Sequence, residues 1–176
     1  MTWKSHMAIA TAVTIPFNTL GVPFSILGST APDWSEGILK LLGHHVEHRG
    51  ATHYLIVPLA IIAISFVFDY HGFLFWFGVG YFTHWFADSL TISGVPISPN
   101  ARHRIHFFGG KLRTGDPVEY FISFGFLLIV LMMVKPNLDD VKDDVYKFNP
   151  YFFEYGKLYE KRIIDEKEYR EKRFSF

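Results

Sequence analysis

The chain has 176 residues, 49% of them apolar and 18% aromatic, length enough for one domain with a sizeable core and a tail. Its 17 basic and 17 acidic residues cancel, so no global field advertises a nucleic-acid partner and no direct nucleic-acid binding is expected. Cysteine is absent, which excludes disulfides and zinc-thiolate sites and leaves histidine and carboxylate to hold any metal.

Four stretches carry no Lys, Arg, Asp or Glu: residues 5–32, 54–68, 70–87 and 120–134. They are apolar on every face and dense in Phe and Trp, as in Phe66, Phe68, Phe73, Phe75, Trp76 and Phe77. That pattern predicts an all-α fold, a polytopic membrane bundle of about four apolar segments. Two of the stretches are only 15 residues long. As helices they reach about 22 Å, short of a hydrocarbon core of roughly 30 Å, so short spans or buried core helices are both open. Met1 to His6 carries one lysine and no convincing cleavage site follows, so no cleavable signal peptide is expected.

The first stretch is punctuated by Pro16, Gly21, Pro23 and Gly28, which predicts a broken hairpin of two shorter helices with its bend near residues 16–23. The consequence falls on His6 and Asp33. On one straight helix they would lie about 40 Å apart; a hairpin brings them together. A polar loop follows in which His44, His45, Glu47, His48 and His53 put four imidazoles and a carboxylate into ten residues. Imidazole is the commonest protein metal ligand, so the cluster asks for a metal reading beside that of a solvated loop. Thr52 is the expected N-cap of a helix running to Phe68. Asp69, Tyr70, His71 and Gly72 then make a tight turn on the far face, with a capping role and no part in the site.

The third segment returns to about Leu90 and ends on His84 and Asp88, spaced four apart so that both can converge on one ion. A hydrogen-bonded cap has the same spacing; an ionisable pair ending an apolar aromatic helix favours function. Beyond it, Arg102, Arg104, Lys111 and Arg113, with His103, His106 and the Gly109-Gly110 pair, form a basic loop suited to a phosphate or to lipid headgroups. Glu119 opens the last apolar helix as a favourable first-turn charge, a further ligand or a general base.

From residue 135 the character changes to ten basic and ten acidic residues. An acidic run at 139–144 reads as linker, and 150–172 as an amphipathic helix that lies on the membrane, packs on the domain or mediates self-association or a protein partner. The domain division is therefore 1–134 and 135–176.

Together His6, Asp33, His53, His84 and Asp88 form a histidine and carboxylate set suited to a divalent ion, zinc first, with manganese or another as alternatives. The expected chemistry is hydrolysis of a lipid or lipid-linked phosphoester by a metal-activated water. In it Arg49 and the loop of Arg102, Arg104, Lys111 and Arg113 hold phosphate, and His48 or Glu119 shuttles the proton. Two alternatives stand beside it. One is a non-catalytic membrane scaffold or regulator with a structural metal. The other is a diiron lipid hydroxylase built on His44, His45, His48, His103 and His106, although no H-x-x-H-H box completes it. Membrane lipid is the expected partner. The seven basic residues Lys4, Lys40, Arg49, Arg102, Arg104, Lys111 and Arg113 near the site place its face in the cytoplasm.

The constellation also resembles a known family. His6, the GSTAPD of 28–33, the HRGATH of 48–53, YFTHWFADSLTISGV around His84 and Asp88, and the RTGDPVEY of 113–120 are similar to the YdjM-like family of inner-membrane metal-dependent hydrolases. The likeness covers about residues 1–134. It implies an all-helical protein of the bacterial inner membrane, hydrolase activity, LexA binding, and distant kinship to zinc-dependent phospholipase C. Carried over position by position, its polar residues fall on His6, Asp33, His48, Arg49, His53, His84, Asp88 and Glu119. The family's Pro-Asp-x-Asp becomes Pro32-Asp33-Trp34-Ser35 here, so a second carboxylate is lost unless Glu36 supplies it.

Overall fold

The computed structural model describes residues 1–45, 47, 49–69, 72–99 and 103–134, with 159, 160, 162 and 165–167 beyond them. The chain divides into two units, Met1–Lys135 and Pro136–Phe176. The amphipathic helix expected at 150–172 lies mostly outside the described residues. All that follows concerns the first unit.

The first apolar stretch folds back on itself. α1 spans Trp3–Thr14 and α2 Val22–Leu41, joined by an uncharged turn. Pro23 sits in the first turn of α2, where its missing N–H costs no hydrogen bond. α3 covers Ile56–Phe68 and α4 Phe73–Ser89, and α5 follows at Pro117–Met133. The described residues contain no strand; the 90–113 loop is held by isolated bridges pairing Thr91 with Leu112 and Val95 with Ile105. Asp69 turns α3 into α4 by accepting from Phe73 N (3.0 Å) and Phe75 N (2.7 Å), the capping role expected of it. Asp116 caps α5 through Val118 N at 2.9 Å.

Thr52 is not the N-cap of α3. It lies in a separate 3-10 turn, Ala51–His53; Tyr54 is extended, and the helix begins only at Ile56. The hydroxyl is spent on His53 instead.

The all-helical expectation holds, but the expected spans do not follow from it. Among the described residues no helix is long and apolar enough to cross a membrane. The reason is local: turns cut the first apolar stretch to 12 residues in α1, and α3 has 13. The 20-residue α2 carries Asp33, Glu36 and Lys40 in its second half.

Packing inverts the usual pattern of a water-soluble core. The buried apolar set is largely alanine (Ala8, Ala10, Ala12, Ala31, Ala87), beside buried Ser5, Thr14, Ser25, Ser29 and Ser123. Phe66, Val67 and Phe68 of α3, and Phe121, Leu128, Met132 and Met133 of α5, are exposed. Small side chains let helices approach closely, and hydroxyls bond across them, as Thr14 Oγ1 does to Ser25 Oγ at 2.8 Å.

α2 and α4 make the closest contact. A Cβ on Gly28 would lie 1.9 Å from Phe77 O, and one on Gly80 1.9 Å from Ser25 O. Only glycine permits this approach, which lays the second half of α2 along the last turns of α4.

Candidate metal centre

Because α2 and α4 touch backbone to backbone, the Ser29 carbonyl reaches His84 and accepts from Nδ1 at 2.6 Å. That contact assigns the imidazole proton to Nδ1 and leaves the Nε2 lone pair facing inward. His53 is oriented in the same way: its Nδ1 lies 3.0 Å from Thr52 Oγ1, and Tyr81 OH donates to the Thr52 carbonyl. Two rings are therefore held by their outer nitrogens.

Their inner nitrogens meet. His84 Nε2 and His53 Nε2 are 3.2 Å apart. His53 Nε2 lies 3.5 Å from Asp33 Oδ1, and His84 Nε2 lies 3.5 Å from Asp88 Oδ2. The fold of α1 back along α2 brings in His6, whose ring stacks on His84 with centroids 3.7 Å apart. Its Nε2 lies 3.4 Å from Asp88 Oδ1. Two overlapping groups result, His6–His84–Asp88 and Asp33–His53–His84, the ligating atoms of each lying within 4.8 Å of one another. All five proposed ligands thus come together across three helices and a turn.

These residues fit a divalent ion. Three imidazoles and two carboxylates suit zinc or another first-row metal. Both ring nitrogens of His6 are buried without a hydrogen bond, and an orphaned buried polar atom is expensive. Burial also pushes the His53 imidazole below its usual range, against the pull of Asp33. The ring is therefore neutral, the form that ligates metal.

Arg49 backs the cluster. It is buried in the left-handed backbone region, with φ 59°. Its guanidinium donates to Asp88 Oδ1 at 3.0 Å, to Thr91 Oγ1 at 2.8 Å and to Gly94 O at 3.4 Å. Its fork is spent on holding Asp88 and the Thr91–Gly94 turn, so Arg49 orients a carboxylate rather than gripping phosphate. The Met1 ammonium also donates to Asp88 Oδ1.

An open cleft of about 480 Å³ runs up to this cluster, bordered by Asp33, Glu36, Lys40, Arg49, Asp88 and Thr114 among others. Glu36 borders it without joining the converging ligands; it pairs with Lys40 and accepts from Arg49 N at 3.4 Å.

Of the roles expected of Glu119, the first-turn charge of α5 is the one the structure keeps, and it adds a clamp. It is fully buried, accepting from Thr2 N (2.6 Å), Thr2 Oγ1 (2.8 Å) and Gly115 N (2.8 Å). Those bonds clamp the start of α1 to the start of α5 and leave no acceptor aimed at the cleft. In the basic loop Arg104, Lys111 and Arg113 are exposed and none borders the cleft; Arg104 donates to Ser93 O at 3.3 Å. His44 and His45 are exposed, and His106 lies 3.3 Å from Thr91 O. None of these histidines is among the converging ligands, which removes support from the diiron reading. His48 and Arg102 lie outside the described residues.

Sequence reasoning missed Ser29 and Thr52 as orienting partners, and Thr91 as an anchor for Arg49. Thr52 had a signal, since it adjoins His53. A backbone carbonyl such as that of Ser29 has none.

A family model described as YdjM inner membrane protein matches residues 1–137. No curated protein and no solved structure matches the chain.

Proposed function

Because the chain belongs to the YdjM inner membrane protein family, we propose that it is a metal-dependent hydrolase acting at the membrane surface on the phosphoester of a lipid or a lipid-linked phosphate. The observation that carries this reading is the convergence of His6, Asp33, His53, His84 and Asp88, with the His6 nitrogens buried and unbonded. These five residues would hold the ion, zinc first and manganese second. Once bound, it supplies Lewis-acid polarisation of a phosphoryl oxygen and an acidified water.

The chain's own residues divide the remaining work. Arg49 fixes Asp88, while Ser29 and Thr52 fix two of the rings. Lys40, half exposed at the cleft, is the cation we assign to the phosphate, exchanging Glu36 for it. His48 is the proposed proton shuttle. The exposed Arg104, Lys111 and Arg113 are assigned to headgroups. In this reading the bundle enters the inner membrane repeatedly with the apolar faces of α3 and α5 toward lipid, which small buried and large exposed residues support, and its site faces the cytoplasm, which the basic residues of the short loops support.

A second reading, a non-catalytic regulator with a structural metal, is favoured by the depth of the cluster. His6, His53, His84 and Asp88 are buried, and only the Asp33 side chain, 18% exposed, opens toward water. Structural sites are closed, whereas catalytic ones keep a position open.

Elemental analysis of detergent-purified protein, beside His84→Ala and Asp88→Ala, tests both readings, with the same samples assayed on phosphodiester and phospholipid substrates. Near-stoichiometric metal lost in both variants, together with wild-type turnover, is the expected result. Metal without turnover selects the structural reading. No metal in any sample overturns both.

A further inference from the structure

The described helices sort their charge to one end. His6 near the start of α1, Asp33 in the second half of α2, His84 and Asp88 at the end of α4 and Glu119 at the start of α5 mark that end. Lys4, Glu36, Lys40, Glu47, Arg49, Arg104, Lys111, Arg113 and Asp116 lie in the same segments or in the loops joining them. The opposite end holds the last turn of α5 and two chain reversals, the α1–α2 turn and the α3–α4 turn. The two reversals sit together: a Cβ on Gly21 would lie 2.5 Å from Trp76 Cγ, and Phe24 stacks on Phe73 at 4.3 Å.

Among the described residues these two turns contain one charged side chain, Asp69, and both its oxygens are consumed by the N–H groups of Phe73 and Phe75. Around it Phe17, Phe66, Val67 and Phe68 are each more than 70% exposed. A turn that emerges into water has no need to seal its one carboxylate and to surround it with bare phenyl rings. Length agrees. α1 has 12 residues and α3 has 13, about 18–20 Å of helix against a hydrocarbon core of roughly 30 Å.

We infer that the α1–α2 and α3–α4 hairpins are re-entrant: they enter the bilayer from the metal-site face and turn within the hydrocarbon without reaching the other side. The occupant of the exposed apolar tips is lipid acyl chain. Backbone at membrane depth must be satisfied internally, and the tips meet part of that demand. Phe17 N and Asn18 N donate to Thr14 O at 3.0 Å, and Gly21 N donates to Asn18 Oδ1 at 3.1 Å. The inference does not depend on the hydrolase reading, since it concerns how the bundle sits and not what the site does.

The absence of native cysteine makes the test direct. Single cysteines are introduced in the full chain at the exposed tips, Thr19→Cys and Val67→Cys, and at the site end, His45→Cys. Sealed right-side-out and inside-out vesicles are then treated with a membrane-impermeant maleimide, and again after detergent. His45→Cys is expected to label in one orientation only, and the tip cysteines in neither until detergent is added. A fluorophore placed on either tip cysteine in detergent and then reconstituted is expected to be quenched by lipids brominated along their chains. Labelling of a tip cysteine in either sealed orientation, or a tip fluorophore that brominated lipid leaves unquenched, overturns the inference.

Discussion

At the scale of single residues, the centre depends on the groups that hold the ligands, a side-chain hydroxyl at Thr52 and a backbone carbonyl at Ser29, as much as on the ligands. Thr52 and Ser29 each occupy the outer nitrogen of an imidazole, and such partners commonly carry 10- to 100-fold of metal affinity. Thr52→Val keeps the shape and removes the hydroxyl, so metal affinity is expected to fall by roughly tenfold or more with little change in helix content. Competition against a chelator of known affinity checks this; an unchanged affinity would mean that His53 is oriented by something else. Arg49 follows the same logic on the carboxylate side. Placed in a left-handed conformation that costs a non-glycine residue on the order of 1 kcal/mol, it recovers that cost in hydrogen bonds to Asp88, Thr91 and Gly94. Removal of Arg49 would leave buried Asp88 with the Met1 ammonium as its remaining cationic partner and free to reorient.

At the scale of elements, the site exists because two helices touch. Gly28 and Gly80 let α2 and α4 meet backbone to backbone, and Ser29, Asp33, His84 and Asp88 all lie beyond that contact toward the site end. Gly80→Ala must push the helices apart, since its Cβ would sit 1.9 Å from Ser25 O. We expect a destabilisation of about 1–3 kcal/mol, a lowered thermal midpoint and loss of bound metal. Gly125→Ala on α5, where a Cβ meets nothing within 4 Å, is the control. It is expected to be neutral or to stabilise by up to about 1 kcal/mol through helix propensity. If the two substitutions behaved alike, the close crossing would not be what holds the site together.

At the scale of the whole molecule, the division between small buried and large exposed side chains is what the proposed lipid-facing arrangement rests on. α5 buries Glu119 and Ser123 toward α1 and turns Phe121, Phe124, Leu128 and Met132 outward. In lipid that face is at equilibrium; in water it would be an aggregation hazard. Phe124→Lys, near the middle of α5, is therefore expected to cost roughly 3–4 kcal/mol of insertion free energy. The readout is the fraction of protein recovered in the carbonate-washed membrane. Recovery equal to wild type, or a gain in detergent-free solubility without loss of fold, would contradict the lipid-facing assignment.

Composition and spacing alone were enough for the all-helical class, the hairpin in the first stretch, the capping role of Asp69 and the convergence of His6, Asp33, His53, His84 and Asp88. These follow from local chemistry: proline and glycine break helices wherever they stand, and residues four apart share a helix face. The family followed from the same motifs, since HRGATH and the His84–Asp88 pair are legible as strings. Other assignments required the tertiary structure. Thr52 reads as a cap until Tyr54 is seen extended, and Glu119 reads as a base until Thr2 and Gly115 occupy its oxygens. Arg49 reads as a phosphate ligand until its guanidinium is found facing Asp88. A side chain's chemical type is set by its own residue, but which of its hydrogen bonds are already taken depends on neighbours up to 117 positions away in the chain, brought there only by packing.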